Sequence, residues 1–354
     1  MAAAADTAEG FFTSRSGRAL AFGCSFAACL LAAGALTITL LGHPGGPPAI
    51  KLELAQDPAS AHKPAAPLHF SSDEGPVAGP VTKPIYAGRA LLADPALIEN
   101  SAKGPLPRIA DDGRKPMTVY AAPAPANAKF KIAIVVNGLG QSATATKTAL
   151  DSLPAAVTVG FTPYANDVGE WVAQARAHGH EVLLQIPMEP LDFPDSDPGP
   201  HTLRAGQEEE ANIQRLTWAL SRFTGYAGVS NFLGQRFLTD SEALSPVLSY
   251  LNRRGLYFFD SGAASQSVAP MVAGQVGIPV VQSGPALDTV QSPQEIDRRL
   301  SELETQARAN GSAVGTAFLY PATTARIAAW ARGLESRGFV LVPVSAILNA
   351  PKQK

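Results

Sequence analysis

The chain has 354 residues, a formal net charge of −2 and 46% hydrophobic residues. A near-neutral balance offers no basis for holding a polyanion, so nucleic acid is excluded as a partner. The length would allow two domains, but sustained apolar periodicity begins only after about residue 129.

Residues 1–19 read as a cytoplasmic N-terminus and residues 20–42 as a transmembrane anchor. No charged residue occurs from Leu20 to Leu41, and about twenty such residues cross a bilayer as a helix. Arg15 and Arg18 precede the segment, and the next cation is Lys51. The positive-inside rule then puts the rest of the chain outside the cytoplasm. A cleaved signal peptide is the rival, with a weak site at Ala33-Gly34-Ala35. The apolar run continues through Leu41, longer than a signal core, and favours an uncleaved anchor. Cys24 and Cys29, the only cysteines, fall inside it. The exported part therefore has no disulfide and no cysteine-ligated zinc.

Residues 43–128 are rich in Pro, Ala and Gly. They read as a disordered linker that gives reach, because the composition offers little apolar surface against chain entropy. Residues 129–348 form the folded domain, and residues 349–354 a tail.

In the domain one punctuation recurs: a helix end, a glycine, then an apolar strand. It appears at His178-Gly179, Arg254-Gly255, Asn310-Gly311 and Arg337-Gly338. Glycine there adopts the left-handed conformation that closes a helix. Helix followed by buried strand, repeated, predicts βα units and a parallel sheet. The strands are expected at 132–136, 157–161, 182–186, 228–231, 257–260, 279–282, 313–318 and 340–344. Pro187 is expected to stop the third of these. Ile213, Leu216 and Leu220 share one helix face, as do Ile296, Leu300 and Leu303. Ser292 and Asp240 carry helix-start signals. The fold class is α/β: a distorted (β/α) barrel of seven or eight strands, with a doubly wound open sheet as the alternative.

Ligands and chemistry collect at strand C-terminal ends in such folds. Those ends carry Asn137, Gln185, Glu189, Asn231, Asp260 and Tyr320, a polar set without His or Cys. Gly138-Leu-Gly140 formally starts a dinucleotide fingerprint, but no acidic residue ends the next strand, so a tight turn is the better reading. His178 and His180 precede a strand and read as surface or helix-capping residues. His201 lies in the long loop after Pro190 and is a possible lid or ligand contact, with Tyr320. Glu189 and Asp260 form the best carboxylate pair, which glycoside hydrolysis would need. The competing reading makes Asp260 a cap for Ser261-Gly262 and Glu189 a salt-bridge partner.

Several motifs resemble the divergent polysaccharide deacetylase family of Gram-negative bacteria. They are Val135-Val136-Asn137-Gly138, Gly179-His180-Glu181 through Gln185-Ile186-Pro187-Met188-Glu189-Pro190, Asp197-Pro198-Gly199-Pro200-His201, and Gly228-Val229-x-Asn231-Phe232-Leu233-Gly234. Phe258-Phe259-Asp260-Ser261 and Arg326-Ile327-Ala328-x-Trp330 extend the match. The resemblance implies a deacetylase-like barrel behind an inner-membrane anchor, in the periplasm, acting on envelope carbohydrate. It also implies a divalent metal such as zinc, held by Asp and His. Competent members carry Asp-Asp at Asn137-Gly138, His at Gln185, and Asn-His at Asn231-Phe232. Asn137, Gly138, Gln185, Asn231 and Phe232 therefore mark an ancestral site whose ligands are not retained. The expectation is no metal ligand and no cofactor. Cell-wall glycan or a periplasmic protein is the expected partner. A metal-independent hydrolase using Glu189 and Asp260, or a non-catalytic scaffold, are the alternatives.

Overall fold

The computed structural model describes residues 93–125 and 128–348. The expected anchor, Cys24, Cys29 and the tail 349–354 lie outside these residues. Among the described residues no helix is long and apolar enough to cross a membrane.

Eight parallel strands form one sheet. They are β3 (Lys131–Leu139), β4 (Thr158–Phe161), β5 (Val182–Met188), β6 (Gly228–Leu233), β7 (Tyr257–Asp260), β8 (Val280–Gln282), β9 (Ser312–Phe318) and β10 (Val340–Leu341). Strands β3 to β8 pair in sequence order, and β9 returns to pair with β3 along Lys131 to Asn137. The sheet thus curls into a barrel with a seam between β8 and β9. Short bonds close that seam: Leu287 N donates to Thr316 O at 2.8 Å, and Ser283 Oγ to Val314 O at 3.3 Å. β10 is a short filler beside the start of β3.

The helices that cover the barrel are α2 (Ala143–Ser152), α3 (Val168–Ala177), α4 (Glu209–Leu220), α5 (Ser241–Arg253), α6 (Ala269–Val276), α7 (Pro293–Asn310) and α8 (Pro321–Arg332), after a short α1 (Pro116–Val119). Ser292 caps α7 through Glu295 N, and Asp240 caps α5 through Glu242 N and Ala243 N. Gly179, Gly255, Gly311 and Gly338 all take left-handed φ, between 71° and 90°. A side chain with Cβ is strained there, so the glycine punctuation has a backbone cause.

Strand alternation divides the core into two shells. Ile132, Ile134, Val136, Val182, Leu184 and Ile186 face outward to the helices. Ala133, Val135, Leu183, Tyr257 and Phe259 face inward. The inward shell also contains Leu97, Ala110 and Tyr120, which corrects the expectation of disorder through residue 128. Residues 93–125 hold a hairpin of β1 (Ile98–Ser101) and β2 (Gly104–Pro107), then α1. Met117 N donates to Gly255 O, and Ala122 N to Glu181 Oε2 at 3.1 Å. Both partners precede strands, so this segment plugs the N-terminal end of the barrel. Its apolar residues are few, but they fill an interior that the strands alone leave open.

Two further expectations change. Strand β5 continues through Pro187 to Met188. Pro187 O accepts from Leu203 N; in a parallel strand N–H and C=O of one residue face the same side, so the missing N–H costs no bond to β6. His178 does cap α3. His180, however, is buried, with Nδ1 2.8 Å from Val157 O.

Candidate functional site

Three of the expected residues meet at the C-terminal mouth of the barrel. Asn137 and Gln185 are each only 1% exposed. Gly138 N donates to Gln185 Oε1 at 2.7 Å, joining β3 to β5. Asn137 Nδ2 donates to Thr316 Oγ1 of β9 at 3.0 Å, and its Oδ1 faces Ser230 Oγ of β6 at 3.5 Å. A register shift between Asn137 and Leu139, with Gly138 at φ 91°, turns this end of β3. Gly160 of β4 completes the layer: a Cβ there would lie 2.3 Å from Asn137 Oδ1. The result is a neutral polar layer across the barrel. Gln185 Nε2 is its one buried atom without a partner among the described residues.

Asn231 is buried too, but it works one step away. Its Nδ2 donates to Leu233 O at 2.7 Å and Ser261 Oγ at 2.8 Å, and its Oδ1 accepts from Ser261 N. Leu233 has φ 56°, a left-handed conformation that L-residues avoid. Asn231 therefore pins a strained turn and ties the ends of β6 and β7. Ser230, not Asn231, faces Asn137. Phe232 is half-buried and lies opposite Pro187 in the ladder.

Both carboxylates of the proposed pair are engaged by loops. Asp260 Oδ1 accepts from Gly262 N at 3.0 Å and Oδ2 from Gln282 Nε2 at 2.9 Å. Glu189 Oε2 accepts from Ala205 N at 2.7 Å, while Oε1 faces Arg236 Nη1 at 3.4 Å. These are the loop-capping and ion-pair roles of the competing reading. His201 stacks flat on Trp218 of α4 with ring centroids 3.5 Å apart, and its backbone N–H donates to Tyr164 OH. Burial, with Arg215 and Arg222 nearby, holds its pKa below the ordinary value. Tyr320 sits exposed at the N-cap of α8, its ring 6.3 Å from Phe318.

Ser230, Thr316 and Asp288 are not among the residues that the sequence alone points to. Alternation along β6 and β9 carries the signal for the first two, since each shares the inward parity of a core residue. Asp288 follows no motif. It is buried in the loop after β8, and Oδ2 accepts from Phe318 N at 2.8 Å and Thr323 Oγ1 at 2.9 Å. Burial raises its pKa. Its place on the free edge of β9 makes it a clasp for the barrel seam.

The mouth layer does not fit a divalent cation. Such ions want carboxylate or imidazole ligands, and both amide oxygens here already face protein hydrogens. Among the described residues no three His, Cys, Asp or Glu side chains lie together as a metal would need.

The strand order and the covering helices define a (β/α) barrel domain. Residues 134–348 match the profile of the divergent polysaccharide deacetylases, and the chain belongs to that family. The crystal structure of uncharacterized protein ATU2773 from Agrobacterium tumefaciens C58 is similar, with 41% identity and a TM-score of 0.68 over 69% of this chain and 99% of that one. Uncharacterized protein YibQ of Escherichia coli K12 is 28% identical over 223 residues, 63% of this chain and 68% of that protein. An uncharacterized protein of Haemophilus influenzae is 24% identical over 207 residues, 58% of this chain and 73% of its own.

Proposed function

We propose that this protein is an inner-membrane-anchored, periplasmic domain of envelope carbohydrate metabolism that binds cell-wall glycan without metal-dependent deacetylation. The observation that carries the reading is the amide pair Asn137 and Gln185, bonded to Thr316 Oγ1 and Gly138 N. Hydrolysis through a metal needs an ion to lower the pKa of water and a base to take its proton. A neutral layer supplies neither. Amides and half-buried aromatics such as Phe232 and Phe318 are suited to hydroxyl groups and sugar faces instead.

The full chain, expressed in zinc-supplemented medium, is first measured for bound metals by elemental mass spectrometry. Titration calorimetry with peptidoglycan fragments follows. The expected result is no stoichiometric metal and saturable glycan binding. Stoichiometric metal with acetate release would overturn the non-catalytic part, and a flat isotherm the glycan part.

A further inference from the structure

Asparagine followed by glycine occurs twice in the chain, at Asn137-Gly138 and at Asn310-Gly311. Such a pair is chemically labile in water. Glycine has no side chain to hinder its own nitrogen, and its backbone turns freely toward the preceding amide. The glycine nitrogen gives up its proton and attacks Cγ of the asparagine. A C–N bond closes a five-membered succinimide, and Nδ2 leaves as ammonia. Water then opens the ring at either carbonyl, which leaves aspartate or isoaspartate. One water is consumed, one ammonia is released, and nothing is oxidised or reduced.

The fold treats the two pairs in opposite ways. Gly138 N donates to Gln185 Oε1 at 2.7 Å, so the attacking nitrogen is already engaged. Asn137 Nδ2 donates to Thr316 Oγ1 at 3.0 Å, and the residue is only 1% exposed. Asn310 is exposed, as the last residue of α7, and its side chain makes no hydrogen bond among the described residues. Gly311 closes the helix at φ 78°. The comparable helix-closing glycines all hold their nitrogen in a backbone bond of 2.9 Å: Gly179 to Arg176 O, Gly255 to Asn252 O, Gly277 to Ala273 O and Gly338 to Glu335 O. Among the described residues Gly311 N makes no such bond. Target and attacking nitrogen are thus both open to water at Asn310 and both held at Asn137.

We propose that Asn310 is a site of spontaneous deamidation in the folded protein, and that the mouth layer shields Asn137 from the same reaction. The product carries a new carboxylate at the C-terminus of α7, where the helix dipole is already negative. Isoaspartate also adds one methylene to the backbone between α7 and β9. Gly311 O accepts from Lys131 N at 3.0 Å, where β9 first meets β3. Modification at Asn310 therefore loosens the start of the pairing that closes the barrel.

The test ages the full chain in mildly alkaline buffer at 37 °C, folded and in concentrated urea, and maps its peptides by mass spectrometry. Deamidation reads as a gain of about 1 Da, with isoaspartate as a second chromatographic peak of the same mass. In the folded protein the Asn310 peptide is expected to convert at least tenfold faster than the Asn137 peptide. In urea the two rates should come within about threefold, because the protection belongs to the fold. Asn310→Gln should leave its peptide unchanged in mass over the same time. A folded Asn310 peptide that converts no faster than the Asn137 peptide overturns the site. A tenfold difference that persists in urea overturns the shielding, since local sequence would then account for it. Hydrogen exchange at the Lys131 amide should be faster in aged than in fresh protein, and equal exchange after most of Asn310 has converted would overturn the effect on the barrel.

Discussion

Glu181 accepts a hydrogen bond from the backbone N–H of Ser345 at 3.0 Å, joining the start of β5 to the end of the domain. The same carboxylate accepts from Ser345 Oγ, from Tyr257 OH at 2.9 Å and from Ala122 N at 3.1 Å. One buried acid thus gathers the plug, the floor and the C-terminal turn of the barrel. Glu181→Ala leaves these donors buried without a partner, and each such donor costs roughly 1–3 kcal/mol. A loss of ~3 kcal/mol or more in urea unfolding is expected, with Glu181→Gln milder because one oxygen remains. Equal stability of Glu181→Ala and wild type would remove the clasp.

The plug itself is a folding requirement. Leu97, Ala110 and Tyr120 belong to the interior shell. Removing residues 1–128 uncovers that shell, whereas removing residues 1–92 leaves it filled. The shorter deletion should give a cooperative melt. The longer one should give aggregation, or a dye-binding state without a cooperative transition. A cooperative melt from the longer deletion would refute the role.

Acid stability should fall through His180. Burial drops its pKa from 6.5 to about 4. The folded chain keeps this imidazole neutral while the unfolded chain takes the proton. The contribution is full above pH 6.5 and is lost as pH falls toward 4. It amounts to roughly 3 kcal/mol. Glu181 has the opposite sign. Burial raises its pKa, so that contribution is full below the unfolded carboxylate range and is lost as pH rises through the folded value. Urea midpoints at pH 7 and pH 4.5 measure the balance, and His180→Gln should flatten the slope between them.

Gly160→Ala tests the mouth layer. Its Cβ would meet Asn137 Oδ1 at 2.3 Å and Gln185 Cγ at 3.3 Å. Overpacking of this kind costs about 1–3 kcal/mol. The variant should melt lower and bind glycan fragments more weakly, because Asn137 and Gln185 both move. Unchanged melting would mean that the layer is looser than its geometry.

Asp288→Ala should open the seam between β8 and β9. Phe318 N and Thr323 Oγ1 lose their acceptor, at a cost of roughly 2 kcal/mol. Hydrogen exchange at the Phe318 amide should accelerate before exchange elsewhere in β9. Asp288→Asn keeps an oxygen and should behave nearly as wild type.

Much of the architecture was legible along the chain. Glycines after helix ends, apolar strands and helix starts at Ser292 and Asp240 are local signals, and all of them recur in the fold. Asn137, Gly138 and Gln185 could be placed at strand ends for the same reason. The partner residues were not legible. Ser230 and Thr316 lie far from Asn137 in sequence, and only barrel closure brings the three strands together. The plug is not legible in composition, which measures how much apolar surface a segment has, not where a cavity awaits it.

The sequence by itself determined the succession of strands and helices, the family and the neutral chemistry of Asn137 and Gln185, because each is written in local periodicity and residue type. Tertiary structure alone decided which polar groups satisfy one another. It turned Glu189 and Asp260 into loop anchors, stacked His201 on Trp218 and made Asp288 a seam clasp. Such pairings depend on curvature and register of the whole sheet, since a hydrogen bond needs its partner within about 3 Å, and nothing local to one residue carries that distance.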